Sequence, residues 1–160
     1  MLLLFVPLLF SCRTAMRGVV QVKESVLLYE QALKALENQN FIIEAYEFHY
    51  PSENAVKTSV GSYISMQGRR AEINLTEDVL RENPLRYAVI VDPSSILVKE
   101  KKRGDMYRLM MKGEQPWLNR RVLITLYKNT NQCYVQVYND QRLLFGFRGN
   151  LYPGREKERE

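Results

Sequence analysis

The stretch that decides the fold is Arg121–Asn150, RVLITLYKNTNQCYVQVYNDQRLLFGFRGN. Val122, Ile124 and Leu126 recur at every second position and share one face. Cys133, Val135 and Val137 do the same in the next run. A period of two is the signature of a β-strand with one buried side. Asn129-Thr130-Asn131 separates the two runs, so Arg121–Lys128 and Gln132–Asn139 read as an antiparallel hairpin. Arg142–Asn150 follows as a closing strand, with Phe145 and Phe147 on one face and Gly146 and Arg148 on the other.

The same period extends back through the chain. Ile96–Lys102 and Met106–Lys112 flank Arg103-Gly104-Asp105 as a second hairpin, with Tyr107, Leu109 and Met111 on one face. Tyr87–Val91 is a short apolar strand closed by Asp92-Pro93. Residues 56–66 read as one strand with Val60, Ile64 and Met66 on a side; Gln67-Gly68 turns the chain. Ala71, Ile73 and Leu75 then alternate with Arg70, Glu72 and Asn74. Thr76-Glu77-Asp78, stopped by Asn83-Pro84, predicts a short helix or turn capped by the threonine. Residues 41–50, FIIEAYEFHY, form the first strand, broken by Pro51. Upstream the spacing changes: Val22, Val26, Tyr29, Leu33 and Leu36 lie on one helical face, predicting an amphipathic helix over 24–38 that ends at Asn38-Gln39-Asn40. The expected fold is therefore α+β: that helix packed on a curved, mostly antiparallel meander of about seven to nine strands, open or closed as a barrel.

Composition bounds the class. The chain has 160 residues, 46% hydrophobic and 26% charged, the profile of one globular domain. Lys and Arg number 23 against 18 Asp and Glu, a net charge of +5. One His and two Cys leave little for metal or nucleophile chemistry.

The leader is separate from the fold. Leu2–Phe10 is an unbroken apolar run, too short to span a bilayer, which takes about 20 residues. It has the length of the apolar segment of a secretory signal and stops at Leu9-Phe10-Ser11-Cys12. This resembles the lipobox of bacterial lipoproteins, with Leu three residues before the Cys and a small residue just before it. Phe10 departs from the small residue usual there, and residues 1–12 carry no Lys or Arg. The expected organisation is a signal peptide at 1–11, lipidation on Cys12, a tether at 12–23, one domain at 24–152 and a polar tail at 153–160.

The layout resembles domain-of-unknown-function family 4251, found in Bacteroidetes lipoproteins. The resemblance rests on Ala35–Ala45, Gly68–Ile73, the Lys99–Arg103 hairpin, and Leu123–Gly149 with Asn139, Gln141 and Arg142 before the closing strand. It covers roughly residues 25–150. It implies an exported, lipid-anchored protein of the periplasmic side of the cell envelope, and carries over no functional residues. The charged stretch Thr76–Leu85 departs from the family's Gly- and Tyr-rich middle.

No catalytic constellation is found. His49, in Phe48-His49-Tyr50, is the sole candidate base for a hydrolase, and no nucleophile-elbow pattern accompanies it. No zinc, calcium, phosphate-loop or dinucleotide spacing occurs, so no metal and no cofactor is expected. Lys99-Glu100-Lys101-Lys102-Arg103 reads as a charged edge strand and turn, with lipid headgroups as the competing reading. No nucleic-acid partner is expected. The expected role is a non-catalytic envelope protein, anchored by its lipid and acting through a protein partner or structural contacts. The alternative is a carrier or sensor of a small apolar ligand held between helix and sheet. Its lining would be Tyr107, Leu109, Met111, Ile124, Leu126, Val135 and Val137, if the sheet curls.

Overall fold

A computed structural model describes residues 13–51, 56–58, 61–76, 89–100, 105–112 and 119–154. The leader with Cys12, most of the helix or turn expected after Thr76, and the tail from residue 155 lie outside the described residues.

Helix α1 runs Arg13–Glu37. Its docked turns carry Ala32, Ala35 and Leu36, all buried, with Tyr29 and Leu33 packed alongside. The segment expected as a tether, from Arg13 to Lys23, is instead helical backbone. A nucleated helix adds one hydrogen bond for each residue it fixes, and no proline interrupts Arg13–Glu37, so the helix propagates beyond its docked part. It ends where Gln39 takes a φ of +53°, a left-handed cap after Asn38 N–H donates to the Lys34 carbonyl at 2.9 Å.

Among the described residues ten strands follow: β1 (Asn40–His49), β2 (Val56–Thr58), β3 (Tyr63–Gln67), β4 (Arg70–Asn74), β5 (Val89–Asp92), β6 (Ile96–Lys99), β7 (Met106–Met111), β8 (Arg120–Leu126), β9 (Gln132–Asn139) and β10 (Arg142–Pro153). All belong to one antiparallel sheet in the order β5-β4-β3-β1-β10-β9-β8-β7-β6, with β2 pairing β1 off that path. Two meanders are thus joined where the first strand pairs the last. The hairpins expected around Asp105 and Asn129 are β6–β7 and β8–β9.

Two expectations are corrected. The single strand over 56–66 is split into β2 and β3, because Gly61 sits at a φ of +92° and the Ser62 carbonyl accepts from Ala45 N–H at 3.0 Å. Both pieces still pair β1. The closing strand also outruns Asn150. Pro153, assigned to the tail, pairs Phe41 and is the last residue of β10.

The sheet curls because its two longest strands are bulged. Tyr46 is an extra residue on β1 against β10, and Leu144 is one on β10 against β9. An unmatched residue bends a strand and raises its twist. The curl turns one face of β1, β3, β4, β7, β8, β9 and β10 inward. Phe41, Ile43 and Phe48 of β1, Ile64 and Met66 of β3, Ile73 of β4 and Phe145 and Phe147 of β10 join the helix side chains in one buried cluster.

The ends of the path, β5 and β6, are consecutive in the chain, so a short turn spans the seam. Asp92 organises it. Its Oδ1 accepts from Ser94 N–H at 2.8 Å and Ser94 O–H at 3.0 Å. Its Oδ2 accepts from Ser95 O–H at 2.9 Å and, across the seam, from Lys112 N–H at 2.6 Å. Ser95 N–H also donates to the Arg69 carbonyl at 2.7 Å. Asp92 is fully buried. Burial alone would raise its pKa, but the hydrogen bonds from Ser94, Lys112 and Ser95 hold it below the usual carboxylate value.

Candidate functional site

The residues singled out by the sequence are separated by the fold. Tyr107, Leu109 and Met111 of β7, Ile124 and Leu126 of β8, and Val135 and Val137 of β9 all face inward and are buried. They share the cluster that holds Phe48 and Phe147. Cys133 lies in the same interior, where burial pushes its thiol up to about 12. His49 is on the opposite, outer face. Its Nε2 is 2.9 Å from Glu47 Oε1, which Arg148 Nη1 approaches to 3.2 Å, and Tyr134 meets the imidazole edge-on at 6.0 Å. Among the described residues, no group of three or more His, Cys, Asp and Glu is placed to hold a metal ion.

Asp105, just before β7, contributes its carboxylate to a latch on the helix. Tyr29 O–H donates to its carboxylate, and Lys99 Nζ lies 3.4 Å from Asp105 Oδ1 and 5.4 Å over the Tyr107 ring. The hydrogen bond to Asp105, and then burial, push Tyr29 up to about 12. Tyr29→Phe is expected to cost about 1–2 kcal/mol, the worth of a bond to a charged acceptor. The folded phenol titrates above its ordinary value of 10.0, so this contribution is complete below pH 10.0 and is lost as the pH rises through about 12. Urea titrations from pH 8 upward (~2 kcal/mol apart at most) would show the two proteins converging in strong alkali; equal stability at pH 8 would remove the latch.

The sequence missed a groove on the outer face, at the end where β1 starts. Strand pairing places Tyr152, Ile42, Ser65 and Glu72 in one row across β10, β1, β3 and β4. Glu44, Tyr63 and Asn74 form the next row, and Asn40, Gln67 and Arg70 the row on the other side. Ser65 is the small residue in the middle of this array, so larger side chains stand around a depression of about 570 Å³. Its lining includes Asn40, Ile42, Glu44, Tyr63, Ser65, Gln67, Arg70, Glu72 and Tyr152. Tyr63 O–H donates to Glu72 Oε1 at 2.7 Å and accepts from Asn74 Nδ2 at 3.3 Å. The bond to Glu72, together with burial, raises the Tyr63 pKa. Gly154 closes one end of the groove: its N–H donates to the Asn40 carbonyl at 2.9 Å, and a Cβ there would fall 2.1 Å from Asn40 Oδ1.

The period of two puts Arg70, Glu72 and Asn74 opposite Ala71 and Ile73, and Ser65 opposite Ile64 and Met66. What it lacked was the neighbour relation that brings β1 and β10 beside them.

No family model matches the chain, and no curated protein matches it. Among solved structures it is similar to the crystal structure, at 1.95 Å resolution, of a DUF4251 family protein from Bacteroides eggerthii DSM 20697. The TM-score is 0.61 with 12% sequence identity, over 83% of this chain and 92% of that one. The likeness is one of fold.

Proposed function

We propose that the chain is an exported member of family 4251, lipidated on Cys12, held at the periplasmic side of a bacterial membrane, and active by binding rather than by catalysis. The observation that carries this reading is the apolar run Leu2–Phe10 ending on Leu9-Phe10-Ser11-Cys12. The shared fold supports the family assignment. Among the described residues no helix is long and apolar enough to cross a membrane, so a lipid is the anchor this reading needs. The chemistry of the described side chains supports the non-catalytic part. Cys133 is buried with a raised pKa, the opposite of an activated thiol.

Protein contacts are favoured by the outer face near the sheet edge. Ile96 and Met110 are cross-strand partners, 50% and 42% exposed, and Val98 on the same edge strand is 42% exposed. Neighbouring exposed apolar side chains of this kind mark contact surfaces. The carrier reading draws less support, since its seven lining residues are buried together with the aromatic core.

The test is expression of the full chain in a lipoprotein-processing bacterium fed labelled palmitate. The wild-type chain is expected in the membrane fraction with the label, and Cys12→Ala in the soluble fraction without it. An unlabelled, soluble wild-type chain overturns the anchor.

A further inference from the structure

We propose that the outer-face groove bounded by Tyr152, Glu72, Glu44 and Arg70 binds a short uncharged oligosaccharide. This goes beyond the anchored-binder reading and does not depend on Cys12.

The argument starts from what the groove offers a ligand. Strands β10, β1, β3 and β4 are paired through its floor, so their backbone groups are engaged in the sheet and recognition falls to side chains. Those side chains are a dense mixture of donors and acceptors. Glu44 and Glu72 accept, Arg70 donates, and Asn40, Gln67, Ser65 and Tyr152 do both. An apolar ligand would strip water from all of them without replacing its hydrogen bonds. An anion would face two carboxylates, and a cation, though drawn to those, would leave the donors of Arg70, Asn40 and Gln67 unmatched. A ligand whose every ring position carries a hydroxyl, donor and acceptor at once, satisfies the set without a net charge.

The apolar parts fit the same class. Tyr152 and Ile42 are cross-strand partners and only part-buried, so they present ring and aliphatic surface to the C–H face of a sugar. Preorganisation is also present. Tyr63 O–H fixes one Glu72 oxygen while Asn74 fixes the Tyr63 oxygen, so the carboxylate is oriented before any ligand arrives. Tyr63 is thus a positioning residue for Glu72.

The size agrees. The volume of about 570 Å³ lies inside the range of small-molecule sites. Tyr152 and Glu72 are separated by three strand spacings, about 14 Å, enough for a few linked rings.

The test uses the folded protein on a printed array of neutral glycans, followed by nuclear magnetic resonance titration of the 15N-labelled chain with maltotriose, cellotriose, chitotriose and each array hit. The expected result is at least one saturable titration whose shifts centre on Glu44, Ser65 and Glu72. Glu72→Gln and Tyr152→Ala are each expected to weaken it at least tenfold, and Tyr63→Phe severalfold. Ser65→Tyr fills the floor and is expected to abolish binding while the thermal melt stays within a few degrees of wild type. A silent array with no saturable shift overturns the proposal. So does binding that Ser65→Tyr, Glu72→Gln and Tyr152→Ala leave unchanged, or saturable shifts centred away from the groove.

Discussion

Asp92→Ala is expected to destabilise the domain by about 3 kcal/mol and to lower its melting temperature by roughly 6–12 °C. The substitution deletes an acceptor that both sides of the seam share. Lys112 N–H, at the end of β7, and the buried Ser95 hydroxyl lose their carboxylate partner. The buried Ser95 hydroxyl keeps only a long 3.4 Å bond to the Asp92 carbonyl, a buried donor left unpaired costs about 1–3 kcal/mol, and hydrogen bonds to a charged acceptor are the stronger kind. Asp92→Asn should lose nearly as much, because one of its two terminal atoms becomes a donor facing donors. The effect carries a pH signature. The folded pKa of Asp92 lies below its ordinary value of 3.8, so its contribution is complete above that pH and is lost as the pH falls through the folded value. Calorimetric melts at pH 7 and in the range below 3.8 should show the variant and the wild type converging in acid. A melting temperature at pH 7 within about 2 °C of wild type would mean that Asp92 does not hold the seam.

Phe48→Ala is expected to cost more, about 3–5 kcal/mol. Phe48 is fully buried near the end of β1, with ring centroids 5.3 Å from Phe147, 5.9 Å from Phe145 and 6.4 Å from Tyr50. Truncation removes the ring that joins β1 to β10 on the inner face, at the pairing that unites the two meanders. The cost is the lost burial of the ring plus a cavity that neighbouring strands cannot fill without breaking register. Phe48→Leu, which keeps most of the volume, should recover more than half of it. Urea unfolding of the three proteins measures this. An alanine variant within about 1 kcal/mol of wild type would show that the aromatic cluster adds little to the closure.

Much of this fold was legible in the chain. Alternation at Tyr107, Leu109 and Met111, and again at Val122, Ile124 and Leu126, names inward residues, because a strand's faces are fixed by the pleat. Other features were hidden for physical reasons. The break at Gly61 needs a left-handed backbone angle that a glycine permits but does not require. The bulges at Tyr46 and Leu144 arise from pairing, and nothing in the local composition marks an unmatched residue. Asp92-Pro93 reads as an ordinary strand end until Lys112, twenty residues on, is brought to its carboxylate. The groove was the least legible. Ile42, Ser65, Glu72 and Tyr152 come from four strands, and each alone is an unremarkable outward side chain.

The amino-acid order by itself settled most of the strands, the docked part of the helix and, where apolar residues alternate as in β7, β8 and β9, which side of a strand faces inward. Both are local consequences of spacing, since each residue partitions according to its own neighbours one turn or two positions away. Tertiary structure alone decided which strands are neighbours. Only folding lays β10 against β1, brings the seam together at Asp92, and aligns four outward side chains into a groove. Those relations depend on register between distant segments, and register is chosen by the packing of the whole inner face.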